Sequence, residues 1–140
     1  MPITTPLIHI VDDDPSVLRA LKRLLRSWGM RVRAFESGEA FLAAQRRSQE
    51  ADCAVIDIQM PGMTGFEVQA QMNRTGVKVP VIFITAHGEH GMEEHALGSG
   101  AAGFLQKPFT EEALVELIRK ALRKRPEPLA AEGVRVADAE

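Results

Sequence analysis

Tyrosine is absent from the 140-residue chain, tryptophan occurs once, and aromatic residues make up only 5% of it. A core must therefore be built from Val, Ile, Leu, Met and Ala. Cysteine also occurs once, at Cys53 inside an apolar run, so no internal disulfide can form. A small buried hydrophobe in a reducing compartment is the expected role of that thiol. No apolar run nears the roughly 20 residues that cross a bilayer. Nor does the N-terminus show a basic segment followed by an apolar one, the mark of an export signal. A cytoplasmic chain without membrane contact is the expectation from these absences. An excess of one charge is lacking too, since 17 Lys+Arg against 19 Asp+Glu leave a net charge of −2. That balance argues against gripping nucleic acid by bulk electrostatics. His87, His90 and His95 lie close in sequence. Their spacing does not bring all three to one helical face, and no Cys or acidic triad completes a zinc site.

What is present is an alternation. Short apolar runs occur at Leu7–Val11, Arg31–Phe35, Cys53–Ile56, Val81–Ile84 and Gly103–Leu105. Between them lie stretches with helical spacing. In the first, Val17, Leu18, Leu21, Leu24, Leu25 and Trp28 share a stripe, with Asp14 placed as N-cap, Pro15 at the first helical position and Gly29 as the stop. A second helix begins at Ser37 and buries Phe41. A third opens with the capping box Thr64-Gly-Phe-Glu67. The fourth, from about Gly88 to Ser99, is weakly apolar and rich in glycine, which makes it poor helix material. The fifth starts at Thr110, acidic in its first turn at Glu111 and Glu112 and basic at its end, as the helix dipole favours. Strands that alternate with helices, and that read as unbroken apolar runs, predict an α/β domain with a parallel sheet covered on both faces. The domain is expected over residues 1–125; the Pro126-Glu-Pro128 stretch changes composition, and 126–140 reads as a linker or C-terminal tail.

In a doubly wound sheet, function gathers beyond the carboxyl ends of the strands. The first strand runs into Asp12, Asp13 and Asp14; the third ends in Asp57, the fourth in Thr85, the fifth in Lys107. Crowded carboxylates repel unless a hard divalent cation offsets them, and Mg²⁺ binds through one or two carboxylates while keeping several waters. A neighbouring lysine points to a second anionic guest, such as a phosphoryl group clamped by metal and ammonium together. The residue types alone therefore indicate phosphoryl chemistry on or beside a carboxylate.

Asp12-Asp13 after the first strand, Asp57 followed by Met60-Pro61-Gly62-Met63-x-Gly65, Thr85-Ala86, and Lys107-Pro108-Phe109 together resemble the receiver-domain family (CheY-like) of bacterial two-component response regulators. The ordered set runs from about Leu7 to Leu122, and Ile84-Thr-Ala-His-Gly88 is also similar to the FixJ-like subgroup. The resemblance implies a flavodoxin-like (βα)5 fold with strand order 2-1-3-4-5. It implies that Asp57 accepts phosphoryl from a sensor histidine kinase. Asp13, Asp57 and the Gln59 carbonyl would hold Mg²⁺, with Asp12 acting mainly through water. Lys107 would pair with the phosphoryl group, Thr85 would be the switch hydroxyl, and Phe104 the coupled aromatic. Asp14 remains for the helix cap, and the Lys107–Pro108 bond is expected to be cis. Gln59 and His87, each two residues beyond a site residue, are expected to set the lifetime of the phosphorylated state.

The implied activity is a signalling switch, not turnover of an external substrate. The implied output is association through the fourth helix and fifth strand, commonly as a homodimer, serving transcription regulation in a longer protein, without specific DNA binding by this chain. Two other readings compete. A phosphatase of the haloacid dehalogenase type also uses an aspartyl phosphate, but it needs an acid where Gln59 stands. A nucleotide- or flavin-binding module would need a glycine-rich loop where Asp12–Asp14 instead repel phosphate.

Overall fold

The computed structural model describes residues 5–48 and 50–124. Its elements are β1 (Leu7–Val11), α1 (Pro15–Ser27), β2 (Arg31–Phe35), α2 (Gly38–Arg47), β3 (Cys53–Asp57), α3 (Gly65–Thr75), β4 (Val81–Thr85), α4 (Met92–Gly98), β5 (Gly103–Gln106) and α5 (Glu111–Lys124). The strands form one sheet in the order β2-β1-β3-β4-β5, and every neighbouring pair is parallel. The expected flavodoxin-like (βα)5 arrangement is what forms. The expected 126–140 tail, and the domain boundary at 125, lie outside the described residues.

Side chains alternate across the strands, so each buried strand feeds two cores. Ile8, Ile10, Val55, Ile82 and Ile84 pack with Leu18, Leu25, Leu114 and Ile118, which places α1 and α5 on one face. Val11, Ile56 and Phe83 pack with Phe41, Val68, Met72 and Ala96, which places α2, α3 and α4 on the other. Cys53 is fully buried among these residues.

The helix ends follow the sequence closely. Asp14 caps α1 by accepting from the Ser16 amide, Ser37 caps α2 by accepting from Ala40, and both halves of the Thr64/Glu67 capping box are formed. Thr110 accepts from the Ala113 amide at the start of α5. Two boundaries differ from expectation. Strands β3, β4 and β5 each run one residue past their apolar runs, because ladder pairing continues through Asp57↔Ile84 and Thr85↔Gln106. Helix α4 is shorter than the 88–99 stretch. It starts after Gly91, a residue in the left-handed region (φ +82°) that supplies no side-chain cap.

On the α2 face of β1 sits a buried imidazole. The Gln45 amide nitrogen lies 2.9 Å from Nδ1 of His9, as for an N–H donated into the neutral ring. Phe35 and Phe41 surround it at ring distances of 5.0 and 6.0 Å. Neither His9 Nε2 nor Gln45 Oε1 has a hydrogen-bond partner among the described residues. Burial, and secondarily the charge of Arg33, hold His9 below its ordinary pKa. The unfolded chain therefore takes up the proton first as the pH falls. Stability linked to His9 is complete above its ordinary value, near 6.5, and is lost progressively below it.

Replacing His9→Leu alone is expected to strand the Gln45 amide and cost about 1–3 kcal/mol, whereas the His9→Leu/Gln45→Leu pair recovers most of that loss. Urea denaturation at pH 7.5 and 5.5 checks both points, with the double variant losing less stability on acidification than the parent. A single variant as stable as the double one would refute the pairing.

Candidate functional site

The carboxyl ends of β1 and β3 lie side by side, and the turns after them set the acids. Oxygens of Asp12, Asp13 and Asp57, one from each, all lie within 4.8 Å of one another. Among the described residues, no other trio of His, Cys, Asp or Glu side chains converges in this way. Asp12 is 1% exposed and Asp57 7%, while Asp13 opens to solvent. Asp12 Oδ1 accepts from the Asp14 amide at 2.9 Å, and Asp57 Oδ1 accepts from the Gln59 amide at 3.2 Å. The second oxygen of Asp12 is buried without a hydrogen-bond partner. Its nearest counter-charge is Lys107 Nζ at 3.6 Å.

These surroundings make negative charge expensive. Asp57 is raised to about 6, chiefly by burial and next by the charge of Asp12, with the Gln59 amide and Lys107 pulling the other way. Asp12 is raised as well, first by burial, against the Asp14 amide and Lys107. One lysine does not balance two buried carboxylates and an exposed one. A hard divalent cation fits this donor set: oxygen ligands from separate loops, one of them an orphaned buried oxygen, and a side open to water. Asp14 accepts from the Ser16 amide and hydroxyl through Oδ1, while Asp12 and Asp13 converge with Asp57.

Gly65 sets how closely α3 approaches. Its amide donates to Ile58 O at 2.9 Å, and a Cβ there would come within 2.7 Å of Asp57 O and 2.9 Å of Ile58 Cα. Both contacts are backbone that cannot yield, so a side chain at 65 would displace the strand end that carries Asp57. The residue belongs to the motif quoted above, but its packing role could not be read from sequence.

Thr85 is fully buried. Its hydroxyl donates to Gln59 Oε1 at 3.0 Å and accepts from the His87 amide at 3.2 Å. Gln59 Nε2 in turn reaches His87 O at 3.4 Å. Phe104, in register with Phe83 across β4 and β5, is half-buried against the core that also receives Met92 and Phe66. The Lys107–Pro108 bond is cis, and the Lys107 amide donates to Thr85 O at 2.8 Å, tying the two strand ends together. The expected residues Asp12, Asp13, Asp57, Gln59, Thr85, His87 and Lys107 thus gather at one end of the sheet. His95 does not join His87: its ring meets Phe66 edge-on at 4.6 Å.

A family model described as "Response regulator receiver domain" matches residues 8–119. The response regulator protein TodT of Pseudomonas putida is 43% identical over 121 residues, covering 86% of this chain and 53% of that protein. The transcriptional regulatory protein FixJ of Azorhizobium caulinodans is 37% identical over 127 residues, 91% of this chain and 59% of that protein. Among solved structures, FixJ-N is similar with a TM-score of 0.82 at 32% identity, over 89% of this chain and 99% of the other. The chain spans about half the length of the curated relatives it matches.

Lys107→Met removes the one nearby cation that lowers both Asp12 and Asp57. The Asp57 carboxyl is then expected to titrate above its value of about 6, measured by side-chain carboxyl NMR in metal-free buffer. An unchanged midpoint would show that Lys107 does not act on the pocket.

Proposed function

Since this chain belongs to the family of response regulator receiver domains of two-component systems, we propose that it is a switch turned on by phosphorylation of Asp57. The observation that carries this reading is the trio of carboxylates within 4.8 Å, with Lys107 at 3.6 Å from Asp12 and the Thr85 hydroxyl at the next strand end. A carboxylate oxygen of Asp57 attacks the phosphorus of a phosphohistidine on a sensor kinase. The O–P bond forms as the P–N bond breaks, and the imidazole leaves with the electron pair. Asp13, Asp57 and the Gln59 carbonyl would hold Mg²⁺, with Asp12 acting mainly through water, and the cation would supply neutralising charge for the phosphoryl group. Lys107 pairs with a phosphoryl oxygen. Thr85 turns to donate to another, and Phe104 follows it inward.

The same geometry argues against a turnover phosphatase. At the position where such an enzyme needs an acid to protonate its leaving group stands Gln59, whose amide has no proton of that acidity. Gln59 and His87 stand beside the path by which water reaches the acyl phosphate, and they set its lifetime. The output is a change in the α4/β5 face that controls a partner, such as a second copy of the chain or an output domain in a longer protein. The name of the FixJ relative, a transcriptional regulatory protein, points to transcription regulation. Among the described residues no helix is long and apolar enough to cross a membrane, and the reading places the chain in the cytoplasm without DNA contact of its own.

Incubation with Mg²⁺ and acetyl phosphate should add one phosphoryl group by intact mass, and Asp57→Asn or removal of Mg²⁺ should abolish the gain. Size exclusion with beryllofluoride then reads dimerisation. Joint replacement of Gln59 and His87 by Ala should change the decay rate of the phosphorylated form. A parent chain that gains no mass would sink the reading.

A further inference from the structure

A hydroxyl has one hydrogen to donate. In this structure Thr85 gives it to Gln59 Oε1 at 3.0 Å, so it has none left for a guest on Asp57. Its oxygen meanwhile accepts from the His87 amide, and Gln59 Nε2 reaches the His87 carbonyl at 3.4 Å, a long and weak bond. One side-chain amide, rooted beside the acceptor strand β3, therefore spans to both ends of the turn after β4. The rest of that segment has little else to hold it. Residues 86–91 are exposed, and α4 begins at a glycine without a side-chain cap. Gly88 sits so close to the end of β5 that a Cβ would come 2.4 Å from Gln106 Oε1. The segment thus rests between two glutamine amides, one of which bonds to it.

We propose that the Gln59 side chain is a resting-state latch, holding the Thr85 hydroxyl and the β4–α4 segment away from Asp57 until an acyl phosphate competes for the Thr85 proton. This rests on the phosphorylation reading above and adds a task distinct from the lifetime role, because the latch acts before phosphoryl transfer. Gln59 is a positioning residue here, acting through Thr85. Its backbone amide and carbonyl stay in place when the side chain changes, so the latch can be removed without dismantling the acid pocket. Removing it lowers the cost of reaching the switched state.

The test is a double-mutant cycle read by beryllofluoride titration in Mg²⁺, following the backbone amide NMR signals of residues 85–91. In Gln59→Leu the half-saturating concentration should fall about threefold or more, the worth of one net hydrogen bond. In the Thr85→Val background, where there is no hydroxyl to release, the same replacement should give less than half of that gain. An equal gain in both backgrounds, or none in the parent, would overturn the latch. A parent that ignores beryllofluoride altogether would defeat the phosphorylation reading instead. The latch is then decided by hydrogen exchange of the His87 amide in the unliganded protein, which should quicken about threefold or more in Gln59→Leu and which disproves the latch if unchanged.

Discussion

Two carboxylates, Asp12 and Asp57, are buried at adjacent strand ends with fewer partners than their charge requires. Burial raises both, the charge of Asp12 raises Asp57 further, and one lysine offsets them in part. The pocket is tolerable because a parallel sheet brings its strand ends to one edge, where backbone amides and open solvent share the load. Everything around it holds that arrangement. Gly65 lets α3 close against Asp57, the Lys107 amide ties β5 to β4, and Asp14 starts α1 as its N-cap. An arrangement so poorly balanced is poised to gain from a cation and then from an anion held between cation and lysine.

That crowding needs a rigid base, and the two cores supply it. Strands β1, β3 and β4 are buried along their whole length, so their ends cannot drift apart without exposing apolar side chains on both faces. A polar intrusion into this base is His9, at the middle of β1, with Gln45 of α2. Its incomplete hydrogen bonding makes that region the less secure part of the base, and the sensitivity has a defined direction, towards acid.

Most of the fold was legible because its signals are local. Unbroken apolar runs mark strands covered on both sides, and Asp14-Pro15, Ser37 and the Thr64/Glu67 box mark helix starts that the structure forms as read. The one-residue extensions of β3, β4 and β5 were not legible. Asp57, Thr85 and Gln106 are polar, and their place in the ladder is decided by neighbouring strands. The late start of α4 follows from Gly91, whose left-handed backbone ends one segment and begins another. In the site, residue types and strand ends identified the acids and Lys107. What sequence could not show is who touches whom: the closeness of Gly65 to the Asp57 carbonyl, and the bond from Thr85 to Gln59, depend on loops that meet only in three dimensions.

The contrast between firm and loose parts bears on how such a site can switch. A small group arriving on Asp57 can offer a few charge-assisted hydrogen bonds, each worth roughly 1.5–3 kcal/mol. It cannot repack a core, so the element it moves must be held by terms of the same size. The β4–α4 segment meets that condition, with exposed glycines, an uncapped helix start and a resting place defined by glutamine amides. Helix α4 keeps one buried anchor, Ala96, and edge contact through His95 on Phe66, while Ser99 at its end donates to Gln69 of α3. Under the proposed switch, the uncapped start and the tethered end would let the helix turn without leaving the sheet.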